Sequence, residues 1–310
     1  MPAPRIVRVV VDGWTYTQRD SDNFAEARAM LSDAFASDSW PSRKATFAIT
    51  PGGFIRTPLP RSYCGRRGWD SRKRDLDKLI PHAQAAVEAV MCGKVLKAAR
   101  RHTRFLTLGV DLNGNRNKED RLRGDHTCRR TCPASCTHAE LVAVLDTKSG
   151  KVIHWTGKSN PTEEQQHSLV HVKNLDTHFV ELGSDRVLLL GCHDLHLFSG
   201  RGRKSIGTPT PKENRRRGMH TRARKFKPTV ILHHPHTTYS PYIWRGAWGG
   251  TRKRIPSAEV GASGIAFCGN SKPAKCWQTL KATRADTAFG DGISDIVICG
   301  YSRQPAGDDE

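Results

Sequence analysis

The side chains best suited to chemistry in this sequence follow a short apolar run. Residues 187–190 are four consecutive apolar residues, which predicts a strand buried on both faces. Gly191 ends the run, and Cys192, His193 and Asp194 follow it directly. A thiol, an imidazole and a carboxylate can each bind a metal or move a proton. Because ligands bind beside the carboxyl ends of strands in open α/β sheets, we expect a functional site here.

Three other apolar strands also end on side chains that bind metals. They are predicted at residues 104–113, 140–146 and 229–234. If these strands run parallel in one sheet, their ends meet although they are far apart in the sequence. A mixture of carboxylates and imidazoles suits a two-metal hydrolytic site holding Mn, Fe or Zn. The predicted ligands are Asp111, Asp146, His233, His234 and His236.

The order of these strand ends, over about residues 104–270, resembles the calcineurin-like metallophosphoesterases. Leu190-Gly-Cys-His-Asp194 is similar to their Gly-Asn-His-Asp element, with cysteine in place of asparagine. Ile231-Leu-His-His-Pro235 is similar to their His-His-Pro element. Asp111-Leu-Asn113 and Asp146 would stand for the first two elements, but the final Gly-His-x-His is missing.

This resemblance implies a set of roles. Asp111, Asp146 and His233 or His234 would hold metal, which would lower the pKa of a bound water toward ~7. His193 would be the general acid for the leaving oxygen, and Asp194 would orient its ring. The expected function is therefore a metal-dependent phosphoesterase that acts on nucleic acid or a nucleotide. Metallo-β-lactamase-like nucleases are a second enzyme class with histidines at strand ends, although their His-x-His-x-Asp-His signature is absent.

A separate cysteine-rich segment, residues 125–138, predicts a structural zinc site. Three thiols and one imidazole lie close together in it and could form a tetrahedral site that fixes a long loop. The spacing is not that of paired Cys-x-x-Cys motifs, so a polar loop with free thiols stays open as an alternative. The predicted ligands are Cys128, Cys132, Cys136 and His138.

Charge indicates a polyanionic partner. The chain has 310 residues, a net charge of +20 and a pI near 9.9. Residues 201–227 hold eleven Lys or Arg against one acid, Glu213. With Gly, Pro, Ser and Thr interspersed, this segment predicts a flexible basic arm that binds nucleic acid. The residues expected to make contact are Arg201, Arg203, Lys204, Arg215, Arg216, Arg217, Arg222, Arg224, Lys225 and Lys227.

The pattern of elements predicts an α/β protein with a layered mixed β-sheet core and flanking helices, metallophosphoesterase-like in arrangement. Residues 1–103 form an N-terminal α/β portion or cover, residues 104–304 the hydrolase-like domain with the basic insertion, and residues 305–310 an acidic tail. No apolar run approaches the ~20 residues of a membrane span. Without a signal peptide, and with an odd number of cysteines, nine, we expect a cytoplasmic protein.

Two non-enzymatic functions stay open on the sequence alone. The chain could be a nucleic-acid-binding protein with a structural zinc and a decayed metal site, which the missing final motif favours. It could also be a subunit of a larger complex that docks through the basic arm.

Overall fold

In this computed structural model of the chain, the described residues are 5–12, 22–60, 76–113, 138–162, 165, 169–199, 208–236, 241–267 and 273–299. They contain two β-sheets. The strands are β1 (Ile6–Asp12), β2 (Ala45–Ile49), β3 (Ile55–Pro58), β4 (Thr103–Asn113), β5 (His138–Asp146), β6 (Lys151–Gly157), β7 (Phe179–Leu182), β8 (Asp185–Gly191), β9 (Val230–His234), β10 (Val260–Ser263), β11 (Ile265–Phe267), β12 (Ala288–Phe289) and β13 (Ile293–Cys299).

The first sheet has the strand order β11-β1-β2-β4-β5-β6, with β13 also paired to β1 and β3 to β4. The second sheet has the order β12-β10-β9-β8-β7. The helices are α1 (Phe24–Ala36), α2 (Ile80–Val90), α3 (Gly93–His102), α4 (Pro211–Phe226), α5 (Pro241–Arg254) and α6 (Pro273–Thr287).

Successive side chains of a strand point to opposite faces of its sheet, and this divides the core into layers. In β8, Val187 and Leu189 pack against the first sheet, in a cluster with Phe47 of β2. The alternate residue Leu188 faces the other way and packs with Met219 of α4. On its far side the first sheet packs against α1, α2 and α3. Because successive side chains of a strand point to opposite faces, the molecule is a helix–sheet–sheet–helix sandwich.

The predicted class, a mixed α/β core of sheets with flanking helices, is confirmed. Strands predicted at residues 5–11, 186–190 and 229–234 correspond to β1, β8 and β9. The strands of residues 1–103 share the first sheet with β4, β5 and β6. The division of the chain at residue 103 stays a prediction.

The sequence predicts a hairpin at residues 44–56, and this is wrong. Both β2 and β3 run parallel to β4, β2 beside its first half and β3 beside its second. The Pro51-Gly52-Gly53 segment between them therefore shifts the chain without reversing it. Gly53 has a φ of 62°, which glycine adopts without the steric cost of a Cβ. The amphipathic pattern of residues 75–102 predicts a helix that kinks or starts at Pro81 and is weakened at Gly93. The structure has two helices there, α2 with Pro81 in its first turn and α3 starting at Gly93.

The prediction of a flexible basic arm is wrong for residues 211–226, because these residues form helix α4. Thr210 and Glu213 make a capping box at its start, where Pro211 suits the first turn. Met219 and Ala223 are buried against the second sheet, so packing holds the helix although most of its surface is charged.

Most of the basic residues expected to contact nucleic acid lie on this helix or at its end. Arg217, Arg224, Lys225 and Lys227 are exposed, whereas Arg215, Arg216 and Arg222 are partly buried. Arg222 pairs with Asp176, with a distance of 2.6 Å between Nε and Oδ1. Contact between this surface and nucleic acid stays a prediction. The other three, Arg201, Arg203 and Lys204, lie outside the described residues, as does the acidic tail.

Among the helices of the described residues, none combines the length and apolar character needed to cross a membrane. The cytoplasmic location stays a prediction.

Replacing Met219 by Ala tests whether α4 is part of the folded core. We expect the free energy of unfolding to fall by about 2–4 kcal/mol, because a buried side chain leaves a cavity under the helix. Urea unfolding followed by circular dichroism measures it. The control is Arg217→Ala on the exposed face of the same helix, which should change stability little. Equal, small effects of both changes would show that the segment does not pack.

Candidate active site

Strand direction decides which of the predicted residues meet. β4 and β5 are antiparallel, with Asp111 paired to Glu140 and Phe105 paired to Asp146. Asp146 therefore lies at the opposite end of the sheet from Asp111, where it accepts a hydrogen bond from the backbone N–H of Lys148 at 3.1 Å. In the second sheet β8 and β9 are parallel, so their carboxyl ends lie side by side. One edge of the sandwich thus collects Asp111, Glu140 and the residues after β8 and β9.

Four buried side chains form the centre of this edge. Potential ligand atoms of Glu140, Cys192 and His236 all lie within 4.8 Å of one another. Lys158, directly after β6, places its Nζ 2.9 Å from Oε1 of Glu140 and 2.5 Å from Oε1 of Gln165. The lysine side chain is only 1 % exposed. A buried ammonium, a carboxylate, an imidazole and a thiol thus share one small volume.

Asp194 stabilises the loop that carries Cys192 through hydrogen bonds. Its carboxylate accepts hydrogen bonds from the backbone N–H groups of Gly191, Ser159 and Asn160, at 3.1, 3.0 and 2.8 Å, and from the Ser159 hydroxyl at 2.8 Å. These bonds join the end of β8 in the second sheet to the segment after β6 in the first. Gly191 permits the close approach, since a Cβ there would lie 2.7 Å from Cα of Lys158.

The role predicted for Asp194, orienting the His193 ring, is therefore wrong, because its hydrogen bonds go to this loop junction. The His193 side chain lowers the pKa of the neighbouring Cys192 thiol. A catalytic role for His193 stays a prediction.

His236 lies between two carboxylates. Its Nε2 is 2.9 Å from Oδ2 and 3.1 Å from Oδ1 of Asp111, and its Nδ1 is 3.4 Å from Oε2 of Glu140. One of its ring nitrogens lies within 4.8 Å of the Cys192 sulfur. Gly53 passes directly over this pair, and a Cβ there would lie 2.7 Å from Oδ2 of Asp111.

The surrounding charges favour the thiolate form of Cys192. Burial by itself would raise the pKa of the thiol, but hydrogen bonds from His193 and His236 and the positive charges of His236 and Lys158 lower it to about 5. Cys192 therefore carries a negative charge at neutral pH, which is the reactive form of a cysteine.

The other three groups also hold their charges. Burial would raise the pKa of Glu140, but the charges of His236 and Lys158 lower it well below its usual range. Burial would lower the pKa of Lys158, but Glu140 and Cys192 raise it. The pKa of His236 is likewise raised well above its usual range, against the effect of burial, by Asp111 and Glu140. The cluster thus alternates negative and positive groups.

His233 and His234 are buried outside this cluster of charges. Burial lowers the pKa of each to about 3, so both rings are neutral. The ring of His233 bridges the Ser263 hydroxyl at 2.9 Å and the backbone carbonyl of Cys192 at 2.7 Å. It supports the backbone of the cysteine, with Trp244 packed at 4.9 Å between ring centroids.

The predicted divalent metal at the strand ends is wrong. Of its five expected ligands, only Asp111 and His236 meet, and the neighbouring carboxylate of Glu140 is already paired with the ammonium of Lys158 at 2.9 Å. The structural zinc site predicted for residues 125–138 is not supported either. Cys128, Cys132 and Cys136 lie outside the described residues, and Nε2 of His138 is 3.3 Å from Oε1 of Glu140.

No family model matches this chain, and no curated protein matches it. Among solved structures it is similar to an amidase from Nesterenkonia sp. AN1 with acrylamide added at its active site cysteine. That match has 13 % identity over 85 % of this chain and 78 % of the other, with a TM-score of 0.47. A second structure, described as an amidase from the nitrilase superfamily, gives 13 % identity, 85 % and 76 % coverage and a TM-score of 0.46. A third structure, of an amidase from Nesterenkonia sp., has 14 % identity over 86 % of this chain and 78 % of the other, with a TM-score of 0.45.

The resemblance to calcineurin-like metallophosphoesterases is wrong. The strand ends of this chain bring Glu140, Lys158 and Cys192 together, whereas Asp146, an acid that the resemblance requires, lies at the opposite end of the sheet. The phosphoesterase and metallo-β-lactamase-like nuclease functions, with nucleic acid or a nucleotide as substrate, are wrong for the same reason. At these identities and TM-scores, the function must be argued from the geometry of the site.

Sequence reasoning missed Glu140 and Lys158. Glu140 is an acid inside a nine-residue strand that is otherwise apolar between Ala139 and Leu145. Lys158 follows directly after a strand, as the predicted site residues do. An acid within an apolar strand and a lysine at a strand end are the two signals that could have identified them.

The ionisation of Cys192 can be measured by alkylation. Because its pKa is lowered to about 5, the rate of alkylation by iodoacetamide should change little between about pH 6 and 8. Peptide mass spectrometry separates Cys192 from the other cysteines. Free cysteine is the reference, since its rate should rise steeply toward its pKa of ~8.5. A Cys192 rate that rises with pH as the reference does would contradict the thiolate.

Replacing Asp194 by Asn tests the loop junction. An amide offers one accepting oxygen where the carboxylate receives four donors, so buried N–H groups lose their partners. We expect the free energy of unfolding to fall by about 2–4 kcal/mol, measured by urea titration. Asp176→Asn is the matched control, because it breaks an exposed ion pair and should have a much smaller effect. A similar decrease in the free energy of unfolding of the two variants would show that the loop junction does not stabilise the fold.

Proposed function

We propose that the protein is a cysteine-dependent hydrolase that cleaves an amide bond through a covalent acyl–enzyme intermediate. The observation that carries the proposal is the buried Cys192 thiolate beside the Lys158–Glu140 ion pair. A charged thiol is costly to bury unless nearby groups stabilise it, and such arrangements are characteristic of nucleophilic cysteines.

Each group has a role in acyl transfer. The Cys192 sulfur attacks the carbonyl carbon, and negative charge develops on the carbonyl oxygen. The Lys158 ammonium lies beside the thiolate and is placed to stabilise that charge. Glu140 holds the ammonium in place and keeps it protonated through the hydrogen bond of 2.9 Å. Because the cluster already supplies positive charge from its own side chains, the reaction does not require the metal that the sequence predicted.

The site favours acyl transfer over phosphoryl transfer on electrostatic grounds. Asp111 and Glu140 are both carboxylates, and Cys192 adds a third negative group. A phosphodiester would bring a further negative charge into this volume, whereas an amide is neutral. The cations present are each paired with a carboxylate, which leaves little net attraction for a polyanion.

Hydrolysis of short aliphatic amides tests the proposal. With formamide, acetamide and propionamide as substrates, we expect ammonia release by the wild type. Cys192→Ala should lower it by a thousandfold or more, on the order expected for loss of a nucleophile. Cys92→Ser is the control, because Cys92 is a free, exposed cysteine outside the site and should be replaceable without loss.

Lys158 provides a second measurement. Lys158→Met keeps much of the side-chain volume but removes the charge, and we expect kcat to fall about a hundredfold to a thousandfold. The acyl–enzyme should still be detectable on Cys192 by mass spectrometry. Ammonia release that survives in Cys192→Ala would refute a cysteine mechanism, whatever the effect of Lys158→Met.

A further inference from the structure

The hydrolase proposed above needs a group that carries protons, and Cys192 and Lys158 do not supply it. A thiolate has already lost its proton before the reaction begins. Amide cleavage requires a proton on the leaving nitrogen, and hydrolysis of the acyl–enzyme requires a base for the attacking water. The group that does both must lie within reach of the cysteine and must change its ionisation during the cycle.

Two neighbours of the cysteine are poorly suited to this. Glu140 receives hydrogen bonds from Lys158 at 2.9 Å and from Nε2 of Gln165 at 3.0 Å, both on Oε1, and its Oε2 lies 3.4 Å from Nδ1 of His236. Its negative charge is therefore strongly stabilised. Lys158 is bound by the same carboxylate and retains its proton. Each group keeps the other in its charged form, and neither is free to exchange protons.

His236 is placed differently. Asp111 accepts from its Nε2 with both oxygens, at 2.9 and 3.1 Å, which fixes the plane of the ring and its tautomer. A ring nitrogen of His236 also lies within 4.8 Å of the Cys192 sulfur. Asp111 itself is fixed in the middle of the sheet by the pairing of β4 with β5 and β3. His236 thus lies between the carboxylate of Asp111, on its Nε2, and the group formed by Glu140 and Cys192.

We propose that Asp111, His236 and Cys192 form a proton relay in which His236 is the catalytic acid and base and Asp111 positions its ring. This inference rests on the hydrolase function proposed above and assigns a step within it.

The Cys192 thiolate forms a C–S bond with the carbonyl carbon, and the C–N bond breaks as His236 gives its proton to the leaving nitrogen. Water then attacks the thioester carbon and gives one proton to the neutral His236. The C–S bond breaks, which restores the thiolate and the imidazolium, and the acid product releases the other proton to solvent.

His193 is the rival for this role, because its side chain also contacts Cys192. It differs in having no orienting carboxylate among the described contacts, since Asp194 bonds to the loop junction. His236→Gln and His193→Gln therefore form a matched pair of variants, each of which removes one imidazole beside the same sulfur.

Two acetyl donors with different leaving groups test the relay. p-Nitrophenyl acetate releases a phenolate that needs no proton, whereas p-nitroacetanilide releases an amine that does. In the wild type we expect acetylation of Cys192 by both donors. In His236→Gln the rate with the anilide should fall about a hundredfold or more relative to the rate with the ester. In His193→Gln the ratio of the two rates should stay close to that of the wild type.

Asp111→Asn is a milder variant for the case that His236→Gln does not fold. The groups facing His236 are Asp111, Glu140 and Cys192, with the neutral His234 two residues before it. Because Asp111 raises the pKa of His236, removing its charge lowers that pKa, and the imidazolium is lost at lower pH. The alkaline limb of the profile of kcat/KM for the anilide should therefore move toward lower pH.

The outcomes separate the two proposals. A wild-type protein that forms no acetyl–Cys192 from the ester would overturn the hydrolase function and the relay with it. A wild type that is acetylated by the ester but not by the anilide would overturn the relay and the cleavage of amides, and would leave only the cysteine nucleophile of the proposed hydrolase. An unchanged ratio in His236→Gln, a loss of the anilide reaction confined to His193→Gln, or an unmoved alkaline limb in Asp111→Asn would also overturn it.

Discussion

The ion pair between Lys158 and Glu140 is the interaction on which the site depends. An ammonium removed from water costs several kcal/mol unless a counter-charge and hydrogen bonds replace its hydration. Glu140 supplies that counter-charge at 2.9 Å, and the pair in turn makes a thiolate at Cys192 and an imidazolium at His236 tolerable in the interior. Removing any one member leaves its neighbours with an uncompensated charge, so these groups must be understood together.

The backbone brings these charges together by joining two sheets. The antiparallel register of β4 and β5 places Asp111 beside Glu140, and the parallel register of β8 and β9 places Cys192 near His236. Asp194 holds the two sheets at the point where they meet, through backbone N–H groups from each. The sequence suggested a catalytic role for Asp194, but its carboxylate instead stabilises the loop that carries Cys192.

The sequence predicted several elements of the fold and one part of the site. The apolar run before Gly191 identified β8, and with it the strand end that carries Cys192. The sequence does not show strand direction, because an apolar run predicts burial but not the direction of its neighbour. The assumption of parallel strands therefore placed Asp146 in the site, whereas the antiparallel register puts Glu140 there. Lys158 was missed because its partner is known only once that register is known.

The division of the site between two sheets has a consequence for how the chain is made. Glu140 lies in the first sheet and Lys158 follows a strand of it, while Cys192 and His236 follow strands of the second. In an unfolded chain a cysteine has a pKa near ~8.5 and is mostly uncharged at neutral pH. The reactive sulfur therefore arises only after both sheets have formed and docked. In a nascent or partly folded chain Cys192 is a protonated thiol, and the nucleophilic thiolate forms only when folding is complete.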